Sequence, residues 1–134
     1  MPGFTVNLLA EGLNDIGKSV KATKIAVLGL SYKPNINDCR ESPSFKIISH
    51  LKKRGAKIIA FDPHVPELSD EKELKVVFQK ADVILIATGH KEFLSLNPKI
   101  LEKYKIDLVI DGRNCLDKKL FDESKIIYKG IGRP

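Results

Sequence analysis

The run Lys24-Ile25-Ala26-Val27-Leu28, followed by a long polar segment and then by Ser42-Pro43, restricts the fold of this chain more than any other feature. A short segment that is apolar at every position after the first reads as a β-strand buried on both faces. Such strands belong to parallel sheets with helices packed on either side. Ser42 can cap a helix, Pro43 suits its first turn, and Gly55 can stop it after Lys52-Lys53-Arg54. The order is therefore strand, loop, helix, with Gly29 to Pro43 as the connection.

The rest of the chain repeats this alternation. Apolar runs at 57–61, 83–87, 107–110 and 125–128 read as four further strands. Between them, Phe45, Ile47, Ile48 and Leu51 give the helix from Pro43 to Arg54 an inward face. Asp70 with Glu73 resembles a capping box ahead of the stripe Leu74, Val77, Phe78 and Ala81, and Lys91–Leu96 and Pro98–Lys105 read as short helices. At the amino end, Phe4, Leu8, Leu9, Leu13, Ile16 and Val20 recur at helical spacing, which predicts an amphipathic helix from about Gly3 to Val20, weakened by Gly12 and Gly17. Strands alternating with helices imply an α/β fold, a Rossmann-like doubly wound parallel sheet with helices on both faces.

At 134 residues the chain has room for a single core. A net charge of +6 and a pI near 9.3 invite a nucleic-acid reading. The lysines, however, are spread along the chain and interleaved with acids, as on a solvated basic surface, and no nucleic-acid partner is expected. No run approaches the roughly 18 apolar residues of a membrane span, and the amino end lacks a signal-peptide pattern, so a soluble cytoplasmic protein without a membrane partner is expected. Cys39 and Cys115 have no CxxC or Cys/His spacing, and His50, His64 and His90 have no metal-ligand spacing. Free thiols and no metal are expected.

In doubly wound sheets ligands sit outside the carboxyl ends of the strands, where the connections diverge. That rule gathers Tyr32, Lys33 and Arg40 after the first strand, Thr88-Gly89-His90 after the third, and Asp111 to Asn114 after the fourth. Two cations in a loop that enters a helix amino end favour an anion, and phosphate is the natural one. The loop has only Gly29 and no G-x-G-x-x-G, so the pyrophosphate elbow of a dinucleotide domain is missing. Asp62 then reads either as the ribose-binding acid of such a domain or as a turn-forming structural acid before Pro63, and the missing fingerprint favours the second. Asp38 and Glu41 read either as general acid/base candidates or as acids that orient Arg40 and hold the loop. His90 stands at the rim as a possible ligand contact.

The segment Gly29-Leu30-Ser31-Tyr32-Lys33 through Asp38, Arg40-Glu41-Ser42-Pro43 closely resembles the loop that opens the carboxy-terminal, UDP-binding domain of the UDP-glucose/GDP-mannose dehydrogenase family. The resemblance continues through Phe61-Asp62-Pro63-His64 and Asp111-Gly112-Arg113-Asn114 to Tyr128-Lys129-Gly130-Ile131-Gly132-Arg133, and is closest to the UDP-N-acetylhexosamine 6-dehydrogenases. It implies residues 1–20 as a connecting helix and 21–134 as a nucleotide-sugar-binding domain. It also implies Tyr32, Lys33 and Arg113 as contacts to a UDP-sugar, and Arg40 as a contact to an NAD held mainly by a domain outside this chain. The reaction implied is NAD-dependent oxidation of the C6 alcohol to a carboxylate. The catalytic residues of the family have no counterpart here, so the chain alone is expected not to turn over. Its partners would be the amino-terminal and central dehydrogenase domains, supplied from elsewhere, for instance as a separate chain. A stand-alone nonenzymatic nucleotide-binding module is the alternative, and RNA binding driven by charge a third.

Overall fold

The computed structural model describes residues 2–131, so Met1 and the closing Gly132-Arg133-Pro134 lie outside the described residues. The elements follow the order α1 (Pro2–Asp15), β1 (Lys24–Leu28), α2 (Pro43–Lys53), β2 (Lys57–Phe61), α3 (Leu74–Lys80), β3 (Val83–Ile86), α4 (Pro98–Glu102), β4 (Leu108–Asp111), α5 (Lys118–Asp122) and β5 (Ile127–Gly130), with 3₁₀ turns at Pro66–Leu68 and Lys91–Phe93. All five strands are parallel, in the order β2-β1-β3-β4-β5. The fold class expected from the alternation is the one observed.

Each strand is apolar according to its place in the sheet. The central β3 and β4 are buried throughout and β1 after Lys24, whereas the edge strands β2 and β5 are partly exposed. The pleat then sorts the side chains onto two faces. Ile25, Val27, Val83, Leu85, Leu108 and Ile110 meet Val6, Leu9 and Leu13 of α1 and Ile47 and Leu51 of α2. Ala26, Leu28, Ile84, Ile86 and Val109 face the other layer, with Phe78 of α3, Leu101 of α4 and Phe121 of α5.

Several elements depart from the sequence expectation. Helix α1 stops at Asp15 because Gly17 takes φ 74°, and the N–H groups of Gly17 and Lys18 return to the carbonyls of Asn14 and Leu13 in a Schellman cap. The buried stripe of α1 is Thr5, Val6, Leu9, Gly12 and Leu13, and Phe4 is half exposed. Gly12 lets the helix lie directly on β4, where a Cβ would stand 2.8 Å from Leu108 Cδ1. On α2, Ser44 is buried and Phe45 exposed, because the Ser44 hydroxyl donates to the Gly29 carbonyl at 2.8 Å. The expected capping box does not form. Asp70 instead exchanges hydrogen bonds with Ala60 on the free edge of β2, its carboxylate accepting the Ala60 N–H and its own N–H reaching the Ala60 carbonyl, both at 2.8 Å. Glu73 is left as an N-cap without a side-chain bond. Strands β4 and β5 begin later than their apolar runs, and α5 was not expected between them.

Full burial of Leu9 sets a prediction. Leu9→Ala removes a side chain of zero exposure from between α1, α2 and the sheet and should cost about 3 kcal/mol of unfolding free energy. Phe4→Ala, at 50% exposure, should cost less than about 0.5 kcal/mol. Urea denaturation of the two variants beside the parent measures both.

Candidate functional site

In the order β2-β1-β3-β4-β5 the connections diverge between β1 and β3, and the loops that meet at that switch point are Gly29–Glu41, Ala87–His90 and Gly112–Leu116. The first begins at Gly29, with φ 101° and so close to β3 that a Cβ would lie 2.6 Å from the Thr88 nitrogen. Glycine is required there on both counts.

Beyond Gly29 the backbone turns inward to Asp62, at the end of β2. One carboxylate oxygen of Asp62 accepts the N–H groups of Leu30 at 2.7 Å and Ser31 at 3.0 Å, and the other accepts the N–H of His64 at 2.8 Å. The imidazole of His90 lies 2.8 Å from the first oxygen, and both side chains have zero exposure. Burial works to raise the Asp62 carboxyl, but the N–H donors and the His90 ring outweigh it and hold the group below the usual carboxylate range. Asp62 is therefore a structural acid, as the missing glycine fingerprint indicated, with a reach well beyond its own turn.

Ser31, His90 and Asp62 are the three residue types of a nucleophilic triad, yet their arrangement excludes that chemistry. A triad sets the serine and the acid on opposite ring nitrogens. Here both lie on Nε2, Ser31 Oγ at 3.0 Å, while Nδ1 accepts the Asn35 N–H at 2.7 Å. Nε2 therefore carries the proton, and the Ser31 hydroxyl accepts from it while donating to the Lys33 carbonyl at 3.0 Å. A hydroxyl at 1% exposure with its proton already spent is a brace. His90 likewise is no rim contact.

The tip of the loop faces outward. Tyr32 is 51% exposed, with the Lys33 ammonium 5.9 Å from its ring centroid, and the Tyr32 N–H closes the loop on the Asp38 carbonyl. Arg40 is 88% exposed and held by Asp38 through Nε at 3.1 Å and Nη2 at 2.9 Å. Its side-chain and backbone hydrogen bonds lower the Asp38 carboxyl to about 2. Asp38 thus orients Arg40 as expected. Glu41, exposed and at φ 58°, lines with Tyr32, Asp38 and Arg40 an open hollow beside the loop.

Arg113 belongs to a neighbouring cleft, with Thr5 of α1, Pro43 and Ile47 of α2, and Ala87 and Gly112. The turn that carries it is built on Asp111. This carboxylate accepts the N–H of Arg113 at 3.1 Å, the N–H of Leu116 at 2.9 Å and the Tyr128 hydroxyl at 2.6 Å. Asn114 donates to the Ile131 carbonyl. The structure therefore places Tyr32, Lys33 and Arg40 together and Arg113 one cleft away, all on the rim above the carboxyl ends of the strands, with α2 opening between them under its Ser42 cap. A further hollow between α4 and α5 carries two carboxylates, Glu102 and Glu123, against the single cation Lys99, and is less suited to an anion than the cationic rim. Among the described residues no group of His, Cys, Asp and Glu could hold a metal ion, and no helix is long and apolar enough to cross a membrane. Sequence reasoning missed His90 as a clamp. Its only signal was its place in the loop after β3.

Asp62 carries a testable consequence. Its lowered carboxyl means that the charge stabilises the fold fully above the ordinary carboxylate value near 4, and that this contribution is lost as pH falls through the lower folded-state value. Asp62→Asn should cost roughly 3 kcal/mol near neutral pH. The gap from the parent should narrow below about pH 4. Urea titrations across that range supply the measurement, and a pH-independent gap would contradict the assignment.

Comparison with known proteins agrees with this geometry. Residues 26–118 match the model of the UDP-glucose/GDP-mannose dehydrogenase family, UDP binding domain. A UDP-N-acetyl-D-mannosamine dehydrogenase from Pyrococcus horikoshii is 36% identical over 134 residues, covering 99% of this chain and 31% of the relative. A UDP-glucose 6-dehydrogenase from Bacillus subtilis is also 36% identical, over 94% of this chain and 30% of its own length. The crystal structure of an NDP-N-acetyl-D-galactosaminuronic acid dehydrogenase from Methanosarcina mazei superposes with a TM-score of 0.92 at 32% identity, covering 99% of this chain and 29% of that one. The chain spans about a third of the length of the curated relatives it matches. With the switch-point loop, the cationic rim and the matched segment in agreement, the chain belongs to the UDP-glucose/GDP-mannose dehydrogenase family, of which it represents the UDP binding domain.

Proposed function

We propose that this chain is the UDP-sugar-binding part of an NAD-dependent nucleotide-sugar 6-dehydrogenase, with residues 1–20 as a connecting segment and 21–134 as the binding domain. The observation that carries the reading is the loop from Gly29 to Glu41, rooted by buried hydrogen bonds at the switch point and presenting Tyr32, Lys33 and Arg40 outward within a family-matched segment. In this reading the Tyr32 ring packs against the nucleotide, the Lys33 ammonium meets phosphate, and Arg113 approaches the nucleotide from the next cleft. Relatives acting on UDP-N-acetyl-D-mannosamine and on UDP-glucose are equally identical to the chain, so uridine diphosphate is the part of the ligand to which the reading commits.

NAD would supply the hydride acceptor of the reaction, and the residues here fit a supporting role toward it. The Leu30 and Ser31 amides, which in a dinucleotide elbow would face a pyrophosphate, are spent on Asp62. Arg40 fits a phosphate that approaches from outside. Its guanidinium is exposed, oriented by Asp38, and retains the outward N–H donors of its fork. In this reading the cofactor's main site and the catalytic residues belong to the amino-terminal and central domains of such a dehydrogenase.

Two measurements test this. In calorimetry with UDP the chain should bind, Lys33→Ala and Arg113→Ala should each weaken binding about tenfold, and Arg40→Ala should leave it unchanged. Unaltered affinity in both of the first two variants would refute the assignment. With NAD and a UDP-sugar, the pure chain should give no increase in NADH absorbance. Sustained turnover would show that catalysis does not need further domains.

A further inference from the structure

We infer that His90 is a positioning residue for the nucleotide loop, holding Tyr32 and Lys33 in their outward geometry by anchoring the residues on both sides of them. The inference rests on the reading of that loop as the UDP site. Ser31, immediately before the pair, is fixed through its hydroxyl to His90 Nε2 and through its carbonyl to the Thr88 hydroxyl at 2.9 Å. Asn35, two residues after Lys33, donates its N–H to His90 Nδ1 and accepts the Lys91 N–H on its side chain at 2.9 Å. The five-residue arc from Ser31 to Asn35 thus stands on the two nitrogens of one imidazole.

The site needs an acceptor on its outer side and a donor on its inner side, at zero exposure and beside a carboxylate. Neutral imidazole offers both from one rigid ring. The ring cannot swing, because His64 packs on it at 4.4 Å between centroids and Phe93 at 5.7 Å, and Asp62 holds Nε2. Asn35 takes φ 63°, a conformation its residue type tolerates, and this turns its N–H down to the ring. Without the outer bond the backbone of Asn35 loses its hold on the ring; the segment from Tyr32 to Asn35 is then held through Ser31, the closure at Asp38 and the Asn35 side chain on Lys91, and binding must supply more of the ordering.

Isosteric variants separate the two contacts. His90→Asn keeps an acceptor near the Nδ1 position, His90→Gln keeps a donor near Nε2, and His90→Leu keeps neither. The Asn35 amide should exchange slowly with solvent in the parent and in His90→Asn, and rapidly in His90→Gln and His90→Leu. UDP affinity should follow, with His90→Asn within about threefold of the parent and the other two about tenfold weaker. A merely structural histidine would show exchange and affinity scaling with global stability, measured in parallel by urea. Identical Asn35 exchange in His90→Asn and His90→Gln, or parental UDP affinity in folded His90→Gln, overturns the inference. Should His90→Leu fail to fold, the asparagine and glutamine pair decides the matter. If the parent itself does not bind UDP, the functional reading falls, and the exchange pattern alone upholds or refutes the positioning role.

Discussion

A buried carboxylate at the end of β2 governs how the neighbouring loop leaves the sheet. In a dinucleotide-binding fold the first strand turns through glycines directly into a helix, and the amides of that turn face the ligand. Here the helix does not begin until Pro43, so the amides of Leu30 and Ser31 would be buried without partners. Asp62 satisfies both, and its own burial is tolerable because His64 N–H and the His90 ring complete the shell around it. The carboxylate takes the two amides that a dinucleotide elbow would turn toward its ligand, and leaves the loop tip as the exposed cationic surface.

The same device recurs on the other side of the switch point. Asp111 ends β4 fully buried and ties the Arg113 turn to Leu116 and to Tyr128 of β5. Two acids at two strand ends therefore root two cationic loops, and the cations themselves take no part in the roots. Rigid bases with exposed charged tips reduce the ordering cost of capturing an anion, because fewer backbone torsions remain to be frozen on binding. Arg40 follows a related logic at the surface, where Asp38 aims its fork without burying it.

Much of the fold was legible from local pattern. The bounds of β1 and β2 follow from continuous apolar runs, and the start of α2 from Ser42-Pro43, because burial on two faces and an N-cap are encoded residue by residue. What failed was decided at a distance. Asp70 looked like a cap but serves the unpaired edge of β2, Phe45 looked like core but yielded its place to Ser44, and β5 shifted toward Gly130 to keep register with Asp111. Spacing along the chain records which residues share a face and says nothing about which neighbour takes a hydrogen bond.

The site divides in the same way. The sequence by itself determined the parallel α/β class, the family, and the exposed cations Lys33, Arg40 and Arg113, since each depends on residue type and order. Only the tertiary structure decided that His90, 59 positions from Ser31, turns inward to brace the loop, and that Ser31, His90 and Asp62 form a scaffold with no nucleophile. The reason is physical. The role of an imidazole depends on which nitrogen meets which partner, and the partners of His90 follow β1 and β2, which only the folded sheet brings beside the loop after β3.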